Sequence, residues 1–228
     1  MKRPRPGQPD PVAIVAVGYD RIAERYAEWS ARIDDTARER YSRWLLDALP
    51  AGSRVLDLGC GDGRATTRRL SERFHVTGVD CSPAQVARAR VNVPAATILQ
   101  ADMTTLDLAP GSFDAVVALY SLTHVPRRMH RALLESISRW LRPGGVFLAT
   151  MGAGAAPDAV EADWLGAPMF FSHYDASTNR RLVRQTGFEL VSARVETIEE
   201  DGAIVPFLWI VARTPGAGVR LRLGEPIG

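Results

Sequence analysis

An apolar run that leads into a glycine-rich turn constrains the fold of this chain more than any other feature. Residues 55–58 read as a buried strand, and residues 59–63 are Gly-Cys-Gly-Asp-Gly, with Asp57 two residues before the first glycine. Because glycine has no Cβ, such a turn lets a ligand lie close to backbone N–H groups. We expect the helix after the turn to direct its positive end at the same place. The pattern therefore predicts a strand, a turn and a helix that bind a nucleotide-like cofactor.

The spacing of the glycines argues against an NAD site. The NAD fingerprint Gly-x-Gly-x-x-Gly uses its third glycine for close packing of helix against strand. In this chain Arg64 occupies the place of that third glycine. A glycine-rich turn alone is a weak signal, so the strands that follow must decide which cofactor is bound.

Acidic residues follow the next two predicted strands. Asp80 ends the strand at residues 75–80, about twenty residues after the glycines, where an acid accepts hydrogen bonds from ribose hydroxyls. NAD and S-adenosylmethionine enzymes share this feature. The strand at residues 96–101 leads into Asp102 and Met103, a carboxylate suited to the exocyclic amine of adenine and a thioether suited to its ring face. The three strand ends thus predict the places of a methionine tail, a ribose and an adenine.

The order and spacing of these motifs resemble those of the class I S-adenosylmethionine-dependent methyltransferases, in particular the small-molecule branch known as methyltransferase type 11 or 25. The resemblance covers residues 12–213. It is carried by residues 57–63, Asp80, Asp102 with Met103, Phe-Asp-Ala-Val-Val at residues 113–117, and Arg-Pro-Gly-Gly at residues 142–145. It implies S-adenosylmethionine as the cofactor and S-adenosylhomocysteine as the product.

The same resemblance implies an α/β, Rossmann-like fold. Its sheet has seven strands in the order 3-2-1-4-5-7-6, with strand 7 antiparallel, helices on both faces and an N-terminal helical cap. Two long strands joined by Asp201-Gly202 predict the closing hairpin, whereas an NAD-type fold would continue with parallel strands. We expect one domain at residues 12–213, with a helical cap at 12–50 and a substrate lid at 152–178, between flexible tails at 1–11 and 214–228.

Composition excludes several classes of partner. Hydrophobic residues make up 46% and charged residues 24% of the chain, as in ordinary globular domains. Lys2 is the only lysine, and arginines alternate with acids at a net charge of +2, which predicts a solvated surface and no nucleic-acid partner. No apolar run approaches the roughly 18 residues of a membrane span. The two cysteines and four histidines show neither a disulfide framework nor metal-ligand spacing, so we expect a cytoplasmic protein without a metal.

The implied reaction needs a base only if the acceptor must lose a proton, because alignment of the reactants and exclusion of water do the rest. His124 follows the fourth predicted strand, at the sheet edge where α/β proteins bind ligands, and a histidine titrates near neutral pH. His173 lies in the apolar and aromatic segment 164–174. Both are catalytic candidates. A structural or cofactor-side role for His124, and a loop that only covers the sheet for His173, are the alternatives.

We expect two groups of binding residues. The cofactor group is Tyr19, Tyr26, Asp57, Gly59, Cys60, Gly61, Arg64, Asp80, Cys81, Asp102, Met103 and Leu119. The substrate group is Tyr120, His124, Trp164, Met169, Phe170, His173 and Tyr174. Tyr19 and Tyr26 are included because the N-terminal helix of the resembled family closes over the cofactor; simple packing of two aromatic rings is the alternative. Arg64 could equally face solvent.

The acceptor is the least determined part. Residues 118–121 read Ala-Leu-Tyr-Ser where enzymes of the family that methylate the exocyclic amines of bases carry Asn/Asp-Pro-Pro-aromatic. We therefore expect methylation on oxygen or nitrogen of a small organic acceptor, such as a secondary metabolite. Two alternatives stay open: a protein that binds S-adenosylmethionine without methylating, as a rearrangement catalyst or scaffold, and an NAD-dependent oxidoreductase. The oligomeric state is open as well.

Overall fold

A seven-stranded sheet forms the centre of the computed structural model, which describes residues 10–216. The strands, in chain order, are β1 (Arg54–Leu58), β2 (His75–Asp80), β3 (Thr97–Gln100), β4 (Phe113–Ala118), β5 (Leu141–Gly152), β6 (Ala156–Trp164), β7 (Ala167–His173), β8 (Glu189–Glu200) and β9 (Ala203–Arg213). The sheet order is β3-β2-β1-β4-β5-β9-β8, and β9 runs antiparallel to both neighbours. Because β6 and β7 pair separately, the main sheet has the order 3-2-1-4-5-7-6, and the predicted fold class is confirmed.

Six α-helices lie within residues 10–216: α1 (Pro11–Ser30), α2 (Thr36–Ala48), α3 (Thr67–Ser71), α4 (Pro83–Asn92), α5 (His130–Trp140) and α6 (Ala176–Gln185). Asp35 and Ser82 precede α2 and α4, and each accepts a hydrogen bond from the backbone N–H three residues later. Such bonds satisfy donors that the first helical turn leaves unpaired. The starts of α2 and α4 are therefore encoded locally.

The helix after the glycine-rich turn differs from the prediction. α3 has only five residues and begins at Thr67, four residues beyond Gly63. A single turn of helix carries few aligned peptide dipoles. We therefore expect its positive end to give a ligand at the turn only weak support.

Two apolar layers enclose the sheet, one on each face. On one face, α5 buries Ile137 and Trp140 against the sheet. On the other face, α2 buries Tyr41 and Leu45, and the Tyr41 ring stacks on Trp209 of β9 at 4.4 Å between centroids. The amphipathic spacing of these helices explains the arrangement. Within the predicted cap at residues 12–50, α2 packs on the sheet and α1 lines the first of the two cavities described below.

A β-hairpin occupies the segment between β5 and α6, which the sequence predicts only as a substrate lid. β6 and β7 are joined at Leu165 and Gly166, whose φ angles are 52° and 95°. A two-residue turn with both residues in the left-handed region fits the twist of an antiparallel pair. The β8–β9 turn has the same character at Asp201 and Gly202, with φ of 48° and 81°, as Asp-Gly predicts.

The predicted flexible tails lie mostly outside the described residues, at 1–9 and 217–228. Where they overlap, the boundaries shift. Pro11 is the first residue of α1, and Thr214 is buried, accepting a hydrogen bond from Gly145 N–H and donating one to the Arg142 carbonyl. No helix in residues 10–216 combines the length and apolarity that crossing a bilayer requires.

Candidate active site

A narrow cavity opens at the carboxyl ends of β1, β2 and β4, beneath α1. The residues around it, besides those predicted, include Val12, Val15, Val79, Gln85, Ala101, Thr104, Ser121 and Val125. Nine of the predicted cofactor residues line it: Tyr19, Tyr26, Gly59, Gly61, Asp80, Cys81, Asp102, Met103 and Leu119. Its volume is about 80 Å³.

The two glycines at the cavity matter because they lack a side chain, and their N–H groups are already bonded within the protein. A Cβ at Gly59 would lie 2.3 Å from Ser121 Cβ, whereas one at Gly61 would meet no atom within 4 Å. The N–H groups of Gly59 and Cys60 both donate to the Val79 carbonyl, and that of Gly61 donates to Asp80. The expectation that these N–H groups face a ligand is thus wrong for this loop. The open space at Gly61 instead lets a ligand approach the backbone.

Asp80 lies at the end of β2 with both carboxylate oxygens held. Oδ2 accepts from Gly61 N–H at 2.9 Å and Oδ1 accepts from Ser82 N–H at 2.9 Å. Burial raises its pKa above the usual range, while these two backbone donors oppose the rise. Each oxygen keeps a second lone pair for a further donor. The carboxylate is therefore oriented to accept from the hydroxyls of a ribose.

Another part of the cavity lining combines a carboxylate with apolar surface. Asp102 accepts from Thr104 N–H and from the Thr104 hydroxyl, which holds its side chain at the end of β3. Met103 and Leu119 supply apolar walls. Together with the oriented Asp80 and the open face of Gly61, these groups fit the ribose and adenine of S-adenosylmethionine.

Three predicted cofactor residues do not line the cavity. Asp57 is 2% exposed and accepts from the Thr67 hydroxyl at 2.7 Å, and burial raises its pKa to about 6. Cys60 packs against α4 and β3. Arg64 is mostly exposed and pairs with Asp62. Asp57 and Cys60 therefore stabilise the loop on the side away from the cavity. Arg64 faces solvent, which was the alternative given for it.

Gln85 is a lining residue that the sequence does not reveal. It is 1% exposed, and neither its amide nitrogen nor its amide oxygen has a hydrogen-bond partner within the described part of the chain. Its backbone position is predictable, three residues after the cap Ser82, but a polar residue in a helix normally signals solvent. Only the packing of α4 beneath the cavity buries it.

Tyr19 and His124 form a hydrogen-bonded pair at the mouth of this cavity. The His124 Nδ1 lies 2.8 Å from the Phe170 carbonyl and Nε2 lies 3.0 Å from the Tyr19 hydroxyl. A carbonyl only accepts, so Nδ1 carries the proton, and Nε2 accepts from Tyr19. Burial lowers the pKa of His124 to about 4 and raises that of Tyr19 well above its usual value. Near neutral pH both groups are therefore uncharged.

A second, larger cavity of about 450 Å³ meets the first at this pair. Both cavities are lined by Tyr19, Tyr26, Tyr120 and His124. The second has aromatic walls from α1, both hairpins and the turn after β4, including Trp29, Trp164, Phe171 and Phe207. Trp164 lies within 5.7–6.3 Å, centroid to centroid, of the rings of Tyr19, Tyr26, Trp29, His124 and Phe171. The shared residues make one site with two chambers.

The predicted substrate residues divide between this cavity and the core. Tyr120, His124, Trp164 and His173 line the second cavity. Met169 does not, because Gly18 of α1 packs directly on it. Phe170 projects to the other face of β7, and its contribution is the carbonyl that holds His124.

Tyr174, which the sequence predicts as a substrate residue, does not line the second cavity. Its ring packs on His130 and beneath Arg127. His173 donates from Nδ1 to the Gly154 carbonyl at 2.7 Å, which leaves Nε2 as an acceptor.

Tyr120 adopts a left-handed backbone conformation, with φ of 59°. A non-glycine residue in this region costs about 1–3 kcal/mol and persists only where the surroundings impose it. Its N–H donates to the Thr150 hydroxyl, and its ring makes an edge contact with Phe207. The strained turn places one ring on the wall of both cavities.

Comparison with known proteins identifies the fold. A family model described as a methyltransferase domain matches residues 55–145. The 27-O-demethylrifamycin SV methyltransferase of Amycolatopsis mediterranei is 32% identical over 186 residues, covering 72% of this chain and 65% of that protein. The chain belongs to the class I S-adenosylmethionine-dependent methyltransferase family. It spans about half to two thirds of the length of the curated relatives it matches.

Two solved structures extend the likeness of this methyltransferase family member to almost the whole chain. The 1,6-didemethyltoxoflavin-N1-methyltransferase of Burkholderia thailandensis, solved with 1,6-didemethyltoxoflavin and S-adenosylhomocysteine, has a TM-score of 0.69 at 21% identity and covers 95% of this chain and 94% of its own. The cyclase SpnF also has a TM-score of 0.69, at 19% identity, and covers 91% and 97%. These likenesses concern the fold.

The two glycines of this methyltransferase loop are expected to respond differently to alanine. Gly59→Ala should lower the free energy of unfolding by about 2–4 kcal/mol, because the new Cβ overlaps Ser121 at a φ of +77°. Gly61→Ala, with φ of +57° but no neighbour within 4 Å, should cost about 1 kcal/mol. Urea denaturation of both variants measures the difference. Equal losses would contradict the close approach at Ser121.

Proposed function

We propose that this chain transfers the methyl group of S-adenosylmethionine to an oxygen or nitrogen of a small organic acceptor. The observation that supports it most is the junction of the two cavities at Tyr19, Tyr120 and His124. One chamber has the carboxylates and glycines that suit an adenosyl group, and the other is large and aromatic. A transfer reaction requires two such sites that meet at one point.

The side chains at the junction account for the handling of the acceptor proton. Tyr19 lines both cavities, and its Oη donates to His124 Nε2. The Phe170 carbonyl accepts from Nδ1 and so fixes the tautomer of His124. An acceptor hydroxyl at the junction can pass its proton to Tyr19 Oη as the tyrosine proton moves to Nε2. S-adenosylmethionine supplies an electrophilic methyl group on sulfur. The chain itself aligns the acceptor, excludes water and receives the proton.

Several side chains of α1 hold it closed over the cofactor chamber. Asp20 accepts from the Ser82 hydroxyl and from Ala84 N–H, at the start of α4. Arg25 donates to the Leu165 carbonyl in the β6–β7 turn. These contacts tie α1 to both sides of the site, so α1 would act as the lid that excludes water.

Two further roles belong to this proposal: His173 contacts the acceptor, and Tyr26 contacts the cofactor. A cytoplasmic location also belongs to it, because the thiols of Cys60 and Cys81 are not joined in a disulfide.

Calorimetric titration with S-adenosylmethionine, S-adenosylhomocysteine and NAD in parallel tests the proposal. We expect dissociation constants of about 1–100 μM for the first two and no binding of NAD. Tight NAD binding would favour an oxidoreductase instead. Absence of binding by all three would remove the basis of the proposed function. Formation of S-adenosylhomocysteine with an acceptor distinguishes methyl transfer from a protein that binds the cofactor without using its methyl group.

A further inference from the structure

The second cavity carries an excess of negative charge. Its charged lining residues in the described chain are Asp35, Arg38, Glu161 and Glu200. Arg38 pairs with Asp35, with Nε 3.0 Å from Oδ2, and its guanidinium lies 4.8 Å from the Tyr120 ring centroid. The positive charge of Arg38 is therefore already matched. Glu161 and Glu200 have no cationic partner among the described residues.

These two carboxylates come from different hairpins, and strand register places each on a face that lines the cavity. Glu161 pairs with Met169 across the β6–β7 hairpin, on the face that also carries Phe171 and His173. Glu200 pairs with Ala203 in the β8–β9 hairpin, on the face of Ile198 and Phe207. Since alternate residues of a strand share a face, both side chains lie on the walls that enclose the cavity.

The carboxylate of Glu200 lies near other carboxylates and has no cationic partner among the described residues. Its pKa is raised by burial first, and then by the neighbouring carboxylates of Asp201 and Asp35. A partly buried carboxylate beside two others is stabilised by a cation that comes with a ligand. Aromatic faces attract cations as well, and Trp29, Trp164 and Phe171 line the same space. Charge and ring faces thus favour one kind of ligand.

We propose that the acceptor is a cationic amine: an aromatic or otherwise apolar skeleton bearing an ammonium group, held between the carboxylates of Glu161 and Glu200 and the aromatic walls. This inference rests on the proposed function, because it names the acceptor class of the same site. It disfavours carboxylates and phosphates, which would meet two unpaired negative charges. A carboxylate neighbour keeps an amine protonated and without a lone pair, so the ammonium serves recognition and the methylated atom is another atom of the acceptor.

Three indoles of nearly equal size test the charge preference: tryptamine, indole-3-propionamide and indole-3-propionate. Each is titrated calorimetrically into the protein, with and without saturating S-adenosylhomocysteine. We expect tryptamine to bind at least about tenfold more tightly than the neutral amide, and the anion to bind most weakly. Equal or tighter binding of the anion, or no binding of tryptamine at millimolar concentration, would overturn the proposal.

Glu200→Gln is the variant that locates the preference, and Glu199→Gln is its matched control, because Glu199 is exposed on the other face of β8. We expect Glu200→Gln to reduce the preference for tryptamine about tenfold and the control to leave it unchanged. Neither should alter binding of S-adenosylhomocysteine. An unchanged preference in Glu200→Gln would refute the assigned wall. Failure of S-adenosylhomocysteine to bind would refute the proposed function, while the ranking of the indoles without it still decides the charge preference.

Discussion

Removing either member of the Tyr19–His124 pair is expected to lower kcat for methyl transfer by about 100-fold or more, the range of general-base catalysis. Tyr19→Phe deletes the hydroxyl that contacts the junction, and His124→Asn deletes the Nε2 that accepts from it. Because the two groups act in one proton path, the double variant should be about as slow as each single variant. Single-turnover transfer to an acceptor found among amines measures all three rates.

His75→Asn is the matched control, since His75 is exposed at the start of β2 and should leave kcat unchanged. Binding of S-adenosylhomocysteine by Tyr19→Phe should change by less than about 1 kcal/mol, because the ring is kept. Fully multiplicative losses in the double variant, or normal rates in either single variant, would show that the pair has a packing role instead.

The pH dependence follows from the lowered pKa of His124, about 4. The imidazole is neutral in the folded protein throughout the physiological range, so kcat should show no limb from this group between pH 6 and 8 and should fall only as pH approaches about 4. An unfolded histidine binds its proton near pH 6.5. The stability due to neutral His124 is therefore complete above pH 6.5 and is lost as pH falls toward 4. Imidazole ¹⁵N shifts report both the tautomer and the titration without any acceptor.

Asp80→Ala is expected to raise the dissociation constant of S-adenosylmethionine at least about tenfold, or more than about 1.4 kcal/mol. The variant removes a charged acceptor for ribose hydroxyls. It also frees the N–H groups of Gly61 and Ser82 that the carboxylate now holds. Calorimetry measures the loss, and thermal denaturation checks that the variant is folded.

Asp62→Asn serves as the control for that measurement. Asp62 belongs to the same loop but does not line the cavity, and its side chain accepts from Arg64 N–H. Its substitution should change cofactor affinity by less than about 1 kcal/mol. An unchanged affinity in Asp80→Ala would remove Asp80 from the ribose site.

The turn motif, the acid after each strand and the family resemblance together predicted the sheet and nine of the residues that line the first cavity. The glycine spacing and the acid after each strand are contiguous features, and parallel strands necessarily bring their carboxyl ends to one edge. Asp80, Asp102 and Met103 therefore fall on the cavity as predicted. The errors within this group, such as Asp57, concern which way a side chain points, because burial behind the loop depends on α3 and not on the motif.

Contacts between segments that are distant in the sequence could not be predicted from local signals. The partners of His124 are Tyr19, 105 residues away, and the Phe170 carbonyl, 46 residues away. Neither separation has a periodicity that a strand or helix pattern could detect. The sequence marked His124 and Tyr19 as separate candidates, and only their packing joins them into one pair.

The sequence by itself determined the fold class, the order of the strands through the resemblance, and the edge at which a cofactor would bind, because these depend on short-range periodicity and turn chemistry. Tertiary structure alone decided the second cavity and its charge. Trp29 of α1, Glu161 of β6 and Glu200 of β8 line it together only because the helix and the two hairpins pack around one space. Such a site depends on how several elements pack together, and no single segment of the sequence predicts it.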